Sequence, residues 1–276
     1  MKPTKSYAKV IHPLQEQFDM MYLIFEFIGI SPIVAVDLSL VCKDWMQVIR
    51  KLPISLNLFY ASRNLNLEMS EKLDELLFER LDGLSLYENC RAPEPISKIL
   101  NSSLVSNMKK LKLACSQKLA IQLSERNNLR NLTELRIVDS NISNDGGIAL
   151  VQCENLQNLK FLQLDDNELG VKFAKSLSES PYMTNLESLS LDINFLRDEG
   201  LKYLSNSSTL KLTYLSLARN DISHKGASYI SSSFNLSQLK HLNLNGNHIS
   251  DEGIYEISQL ETLTSLHLSG NQITTT

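Results

Sequence analysis

Leu239–Gly253 reads LKHLNLNGNHISDEG. Leucines at 239, 242 and 244 are followed by Asn247 and Ile249, the spacing LxxLxLxxNxI. The same frame fits Leu159, Leu162, Leu164, Asn167 and Leu169, then Leu186, Leu189, Leu191, Asn194 and Leu196. It fits Leu212, Leu215, Leu217, Asn220 and Ile222, and beyond the opening stretch Leu263, Leu266, Leu268, Asn271 and Ile273. In LxL the two leucines point to one side of a short strand and their neighbours to the other. A lone strand cannot bury that face, so each unit stacks on the next and shares a continuous core. Asparagine follows where the chain turns away from the strand. Its amide both donates and accepts, so it satisfies turn backbone groups that stacking hides from water.

Self-similarity at this period signals a solenoid, and the pattern resembles that of leucine-rich repeats over most of the chain. Looser units precede the clean ones: Pro53–Leu58 (PISLNL), then Leu81, Leu84, Leu86 and Asn89. Met108, Leu111 and Leu113 follow, with Ser116 in the asparagine position; Leu132, Leu135 and Ile137 place Ser140 there. Frame starts at 53, 81, 108, 132, 159, 186, 212, 239 and 263 give spacings of 24 to 28 residues, about nine repeats over 53–276. That spacing leaves room for a helix after each strand. Six residues past the asparagine position stands Gly146, Gly200, Gly226 or Gly253, with Phe173 the exception. Polar or acidic residues before the glycine mark a helix start. Glycine is expected to let the helix approach the neighbouring strand. The predicted fold class is α/β: a horseshoe with parallel strands inside and helices outside, resembling the ribonuclease-inhibitor class of these repeats. After Ile273 only Thr274, Thr275 and Thr276 follow, so Leu263, Leu266 and Leu268 are expected to leave an apolar end that self-associates.

A chain of 276 residues has ample length for a core, and a net charge of -4 gives no general field for nucleic acid or anionic lipid. The four cysteines, Cys42, Cys90, Cys115 and Cys153, contain no CxxC pair, which favours a reducing compartment over a disulfide framework or zinc site. The first residues lack the apolar stretch of a signal peptide, and no later run is long enough to span a bilayer. The expected location is the cytoplasm or nucleus, of a host cell if the chain is a bacterial effector. Sequons such as Asn131-Leu-Thr and Asn235-Leu-Ser are then accidental.

Residues 1–12 are polar and basic, a mobile tail by composition. Residues 18–29 are dense in large apolar side chains and end at Gly29; Ser31-Pro32 is a cap and first helical position. Further helices are expected from about Ile33 to Val41 and Lys43 to Lys51, stopped by Pro53. Here Ile24-Phe25-Glu26-Phe27-Ile28, Ser31-Pro32 and SLVCKDW (Ser39–Trp45) resemble an F-box. The family's leading Leu-Pro falls on Glu16-Gln17, its glutamate on Asp19 and its second-helix Asp-Leu on Val34-Ala35, which are departures. The resemblance implies a helical domain over 1–52 that docks on the small adaptor of a cullin–RING ubiquitin ligase through Met20, Ile24, Phe27, Ile28, Val41 and Trp45. The other reading is a terminal cap that covers the apolar end of the array.

No enzyme site is legible. His12, His224, His241, His248 and His267 form no HExxH, no cysteine sits in a nucleophile motif, and there is no phosphate-binding glycine loop. His241 and His267 fall on neighbouring strands, but a metal needs further ligands that the frame does not supply. No cofactor or metal is expected. Charged pairs such as Asp165-Asp166 read as solvated.

Binding is legible. The side chains that alternate with the core leucines line the concave face in three columns. The first runs Gly83, Lys110, Glu134, Phe161, Ser188, Tyr214, His241, Ser265; the second Ser85, Lys112, Arg136, Gln163, Ser190, Ser216, Asn243, His267. The third runs Tyr87, Ala114, Val138, Asp165, Asp192, Ala218, Asn245, Ser269. A basic patch (Lys110, Lys112, Arg136), two acids (Asp165, Asp192), His241 and the aromatics Phe161 and Tyr214 form the candidate target-binding set. Phe161 and Tyr214 either shield neighbouring strands or anchor a partner. At about 4.8 Å per strand these columns span roughly 35 Å, suited to a folded protein or extended peptide.

The F-box and leucine-rich-repeat resemblances together imply the substrate-recognition subunit of an SCF-type ubiquitin ligase, which holds a protein target and does no chemistry itself. The alternative is a stand-alone interaction module or inhibitor whose N-terminal helices only cap the array. A GTPase-activating role, known among proteins of similar repeat type, would need a rim residue placed for phosphoryl transfer, and none is marked.

Overall fold

The computed structural model describes residues 54–57, 81–87, 100–101 and 103–274. Among them, each leucine frame forms a short strand: β1 (Ile54–Asn57), β2 (Leu81–Tyr87), β3 (Lys110–Ala114), β4 (Glu134–Ile137), β5 (Phe161–Gln163), β6 (Ser188–Ser190), β7 (Tyr214–Ser216), β8 (His241–Asn243) and β9 (Ser265–His267). They join in chain order into one nine-stranded sheet, every pair parallel. Parallel neighbours need a crossover. It is supplied by helices α1 (Gln117–Ser124), α2 (Ser143–Val151), α3 (Val171–Ser178), α4 (Arg197–Ser205), α5 (His224–Ser231) and α6 (Asp251–Ile257). The α/β repeat architecture expected from the frame is therefore present. The expected N-terminal helices, with Met20, Ile24, Phe27, Ile28, Val41 and Trp45, lie outside the described residues.

Register follows the leucines. Leu135, Leu162, Leu189, Leu215, Leu242 and Leu266 stand opposite one another along the sheet. From Leu135 to Leu242 they are exposed by 1 % or less, whereas Leu266 on the last strand is 38 % exposed. A following repeat is what buries a frame leucine. Ile273 is also 38 % exposed, so this end of the described array presents apolar surface, as the sequence led us to expect.

The asparagines reach further than their own turns. Asn194 donates to its own Leu191 and Asp192 carbonyls and to the Leu164 carbonyl of the preceding repeat, at 2.9–3.1 Å. Its Oδ1 accepts the Asn167 and Leu169 N–H groups of that preceding repeat, at 3.2 and 2.9 Å. Asn247 repeats the arrangement, and Asn220, Asn271 and Asn167 keep most of it. Asn167 and Asn220 are fully buried, Asn194 and Asn247 nearly so. Where serine takes the position the reach shortens. Ser140 still accepts the Cys115 N–H across the repeat boundary, whereas Ser116 accepts from Leu119 and caps α1. The residue before each position from Ser140 onward is left-handed: Asp139, Asp166, Ile193, Arg219, Gly246 and Gly270 have φ between 51° and 73°.

A second set of inter-repeat amide bonds, not read from the frame, is made by asparagines that precede the strands. Asn131, Asn158, Asn185 and Asn235 each donate to a carbonyl of the preceding repeat, on Ser106, Arg130, Gln157 and Ser207. The amide nitrogens of both sequons named above, Asn131 and Asn235, are thus engaged in joining repeats.

The helical layer corrects one expectation. The recurrent glycine faces the helix of the preceding repeat and its own turn, not the neighbouring strand. A Cβ on Gly146 would stand 3.3 Å from the Ala120 Cβ, one on Gly200 3.3 Å from the Ala174 Cβ, and one on Gly253 3.4 Å from the Ala227 Cβ. Small residues on both helices set the spacing of the outer layer. At the exception, Phe173, the preceding helix yields instead: a Cβ on Gly147 would come within 2.7 Å of the Phe173 ring. Helix starts are also joined across repeats. The Asn144 side chain accepts from Gly170 and Phe173 at the start of α3, and Asp198 accepts from Ser223 and Gly226 at the start of α5.

Replacing Asn220 by leucine is expected to destabilise the protein by about 1–3 kcal/mol, because the Leu196 N–H and the Leu191 and Ala218 carbonyls lose their partner inside the stack. Asn243→Leu, on the half-exposed concave face, should cost much less. Thermal melts of the two variants test this, and equal melting temperatures would refute the assignment of Asn220 as an inter-repeat tie.

Candidate protein-binding face

The strand register sets the three concave columns side by side as the alternation requires. Lys110 stands opposite Glu134, Glu134 opposite Phe161, Ser188 opposite Tyr214, and Tyr214 opposite His241. Lys112, Arg136 and Gln163 form the second row. Of the candidate residues Lys110, Lys112, Tyr214 and His241 are exposed, while Arg136, Phe161, Asp165 and Asp192 are half-buried.

The basic end is a linked group rather than three separate charges. Glu134 lies between Lys110 (3.6 Å) and Arg136 (2.6 Å), on the face of the sheet. The Arg136 guanidinium also donates to Gln163 at 3.0 Å and sits 4.3 Å from the centre of the Phe161 ring. Hydrogen bonds and a cation–π contact therefore hold the Arg136 guanidinium over the Phe161 ring. One face of that aromatic is covered from within the molecule.

The acids are engaged as well, against the expectation of a solvated Asp165. Asp165 Oδ1 accepts the Ser190 hydroxyl at 2.7 Å and the Asp192 N–H at 2.9 Å, both from the next repeat. Asp192 does the same one repeat on, accepting the Ser216 hydroxyl at 2.6 Å and the Ala218 N–H at 2.7 Å. These carboxylates join neighbouring repeats on the concave side as the asparagines do in the core. Burial pushes the Asp192 carboxyl above the usual aspartate range and the nearby Asp165 charge adds to this; the Ser216 and Ala218 bonds oppose it.

Beyond Asp192 the engagement thins. Asn243 donates to the Ser216 hydroxyl at 2.9 Å, and then the surface opens into a shallow hollow of about 240 Å³ between Tyr214, His241, Asn243, Asn245, Ser265 and His267. The Tyr214 and His241 rings stand 6.1 Å apart, tilted by 40°. His267 meets the Ser265 hydroxyl at 3.2 Å. The two imidazoles do fall on neighbouring strands and share this hollow. Among the described residues no group of three metal-ligating side chains forms.

Two residues that the frame did not single out stand on the rim. Ile193 is 44 % exposed and Phe195 54 % exposed, on either side of the buried Asn194. Ile193 has a φ of 56°, a conformation that a β-branched residue rarely adopts. The same slot is Asp166 one repeat earlier and Arg219 one repeat later, each also left-handed, so the repeat imposes the conformation and isoleucine is the ill-suited occupant. The signal in the sequence is an apolar residue where neighbouring repeats carry charge.

Cys115 and Cys153 are buried, and the Cys153 thiol donates to the Ser124 carbonyl at 2.9 Å. Among the described residues no helix is long and apolar enough to cross a membrane.

Two variants probe this face. Asp192→Asn keeps an oxygen to accept from Ser216 and Ala218 but removes the charge. A carboxyl whose pKa is higher in the folded state favours the fold fully below its unfolded pKa, and this contribution is lost as pH rises through the folded value. The variant should therefore melt no lower than the parent at pH 7, with an advantage that narrows on acidification toward the ordinary aspartate range. A melting curve measured across pH checks both; an advantage that grows on acidification would contradict the assignment. Ile193→Asn should raise stability by about 1 kcal/mol, since asparagine tolerates the left-handed region. A lower melting temperature would mean that the exposed isoleucine packs better than its surface indicates.

The leucine-rich repeat family matches this chain over residues 128–151, 210–231, 236–258 and 259–276. No curated protein matches it. Among solved structures, internalin C2 of Listeria monocytogenes is 26 % identical, over 64 % of this chain and 68 % of that one, with a TM-score of 0.43. Internalin F of the same organism is 20 % identical over 85 % of each chain, with a TM-score of 0.39. The C-terminal domain of Caenorhabditis elegans tropomodulin is 16 % identical, over 53 % of this chain and 92 % of its own, at 0.41. The parallel sheet in chain order and the buried asparagine ladder carry the same repeat through the stretches between the matched segments.

Proposed function

We propose that this chain is a protein-interaction module whose concave sheet face holds a target protein, and that it serves as the substrate-recognition subunit of an SCF-type ubiquitin ligase. The first part rests on one observation: a continuous, solvent-facing sheet carries a fixed row of mixed charge broken by Phe161 and the exposed Tyr214. Aromatics set among charged and polar neighbours are the usual anchors of protein interfaces. The scaffold beneath them is stiff, because backbone, asparagine and aspartate bonds join every neighbouring pair of repeats from β4 to β9. A stiff face loses little freedom on binding.

The finer part is supported by the sequence alone, through IFEFI, Ser31-Pro32 and SLVCKDW. In that assembly the N-terminal segment would dock on the ligase adaptor, through Met20, Ile24, Phe27, Ile28, Val41 and Trp45. The module would then act in the cytoplasm or nucleus, by proximity and not by chemistry: it brings target lysines close to the charged partner enzyme of the ligase.

Affinity capture from a eukaryotic lysate tests both parts with the full chain. The parent is expected to retain adaptor and target together. Trp45→Glu should lose the adaptor and keep the target. Phe161→Ala with Tyr214→Ala should keep the adaptor and weaken target retention by about 30-fold or more, the scale of a lost hot spot of roughly 2 kcal/mol. A parent that retains a target but no adaptor, with its repeats folded, leaves a stand-alone module and removes the ligase reading. Target retention indifferent to the aromatic pair removes the concave face.

A further inference from the structure

The polar groups of the concave face divide into two sets. From Glu134 to Ser216 they are bonded to one another: Glu134 to Arg136, Arg136 to Gln163, Asp165 to Ser190, Asp192 to Ser216. In the hollow at β7–β9 this thins to Asn243, which donates to Ser216 and accepts from the Asn245 N–H. Tyr214 and His241 meet only each other's rings, and the His267 imidazole meets only Ser265. Asn245 Oδ1 accepts the Ser269 N–H at 2.7 Å, and among the described residues its amide N–H₂ forms no hydrogen bond. No carboxylate lines the hollow.

We infer that this hollow is a subsite for a carboxylate side chain of an acidic protein segment, bound together with protons taken up by His241 and His267. This rests on the reading of the concave face as protein-binding and names the chemistry of one part of it. Tyrosine hydroxyl, asparagine amide and two imidazoles can all donate to one anionic group. Imidazole is the side chain whose charge changes between about pH 5 and 8. A carboxylate bound against an imidazole favours its charged form, so binding and protonation strengthen each other.

The surroundings agree in sign. From β7 the titratable group facing His241 is Tyr214, and from β9 it is His267. Lys240 adjoins His241 in the chain. Arg219 lies along Gly246, one residue past Asn245, and adds positive charge at the rim. The acid joined to the hollow by hydrogen bonds is Asp192, which reaches it only through Ser216 and Asn243. The Asp221–His248 pair, 3.7 Å apart, belongs to the turns at the rim and not to the hollow's lining.

The test uses the full chain with histidine labelled at ring carbon ε1, and a ten-residue peptide of alternating Glu and Ser as probe, with its Gln counterpart as control. His241→Gln and His267→Gln assign the two signals. On adding the Glu peptide, the His241 and His267 signals should move and their titration midpoints rise, while His224 and His248 stay in place. The peptide should bind about tenfold more tightly at pH 6 than at pH 7.5, and each single His→Gln variant should remove most of that difference. Equal binding of the Gln peptide, absence of binding, or shifts no larger at His241 and His267 than at His224 and His248 would each overturn the proposal. Perturbation confined to the strands from Lys110 to Phe161 would overturn the hollow while leaving the concave face as a binding surface. Failure of that broader reading shows separately, as target retention indifferent to Phe161 and Tyr214.

Discussion

A turn placed inside a stack hides its own peptide groups from water, and this molecule depends on the side-chain amide that answers them. Asparagine at the end of each strand donates into its own turn and accepts from the turn before it. One residue type thus satisfies two repeats at once. Leaving such groups unpaired would cost on the order of 1–3 kcal/mol each, more than the stack could absorb repeatedly. The left-handed residue before each asparagine follows from the same turn, and with it a conformational demand at Asp166, Ile193 and Arg219 that no single repeat could justify. Serine at 140 keeps one of the bonds, which is why the array begins less regularly than it continues.

Around that tie the two faces of the sheet are held at different spacings. Leucines fill the interior, and the outer helices approach through glycine against alanine, as at Gly146 and Ala120 or Gly253 and Ala227. Where Phe173 replaces the small residue, Gly147 on the preceding helix makes room for its ring. The exchange shows that volume is conserved across the helix pair, not at one position. Aspartates 165 and 192 close the concave side by accepting a serine hydroxyl and a backbone N–H from the following repeat. The resulting sheet is tied on both sides and presents its outward columns in fixed positions.

That rigidity gives the concave columns their meaning. A charged or polar group already bonded within the face contributes shape and register to a partner, whereas one without an internal partner can form new bonds on contact. Arg136, Gln163, Asp165 and Asp192 are of the first kind; Tyr214 and His241 are of the second, and His267 meets only the Ser265 hydroxyl. The exposed Ile193 and Phe195 add an apolar element at the rim between charged turns. A protein partner would meet, in order, a basic end, a bonded middle and a donor-rich hollow.

The sequence by itself determined the strands, their parallel order and their register. A two-residue alternation of leucine repeated at a near-constant spacing admits one way of burying every leucine. It also placed Lys110, Arg136, Phe161, Tyr214 and His241 on the concave face, because the residues between core leucines have nowhere else to point. What tertiary structure alone decided concerns contacts across repeat boundaries, between residues 22 to 30 positions apart, which no local pattern encodes. Asp165 read as a solvated acid until the next repeat supplied the Ser190 hydroxyl and the Asp192 N–H to it. The recurrent glycine read as room for a strand until the preceding helix took that place, and nothing in the frame marked Ile193, whose φ of 56° the turn imposes. Each of these depends on where the next repeat lies, and stacking fixes that only after every frame has found its neighbour.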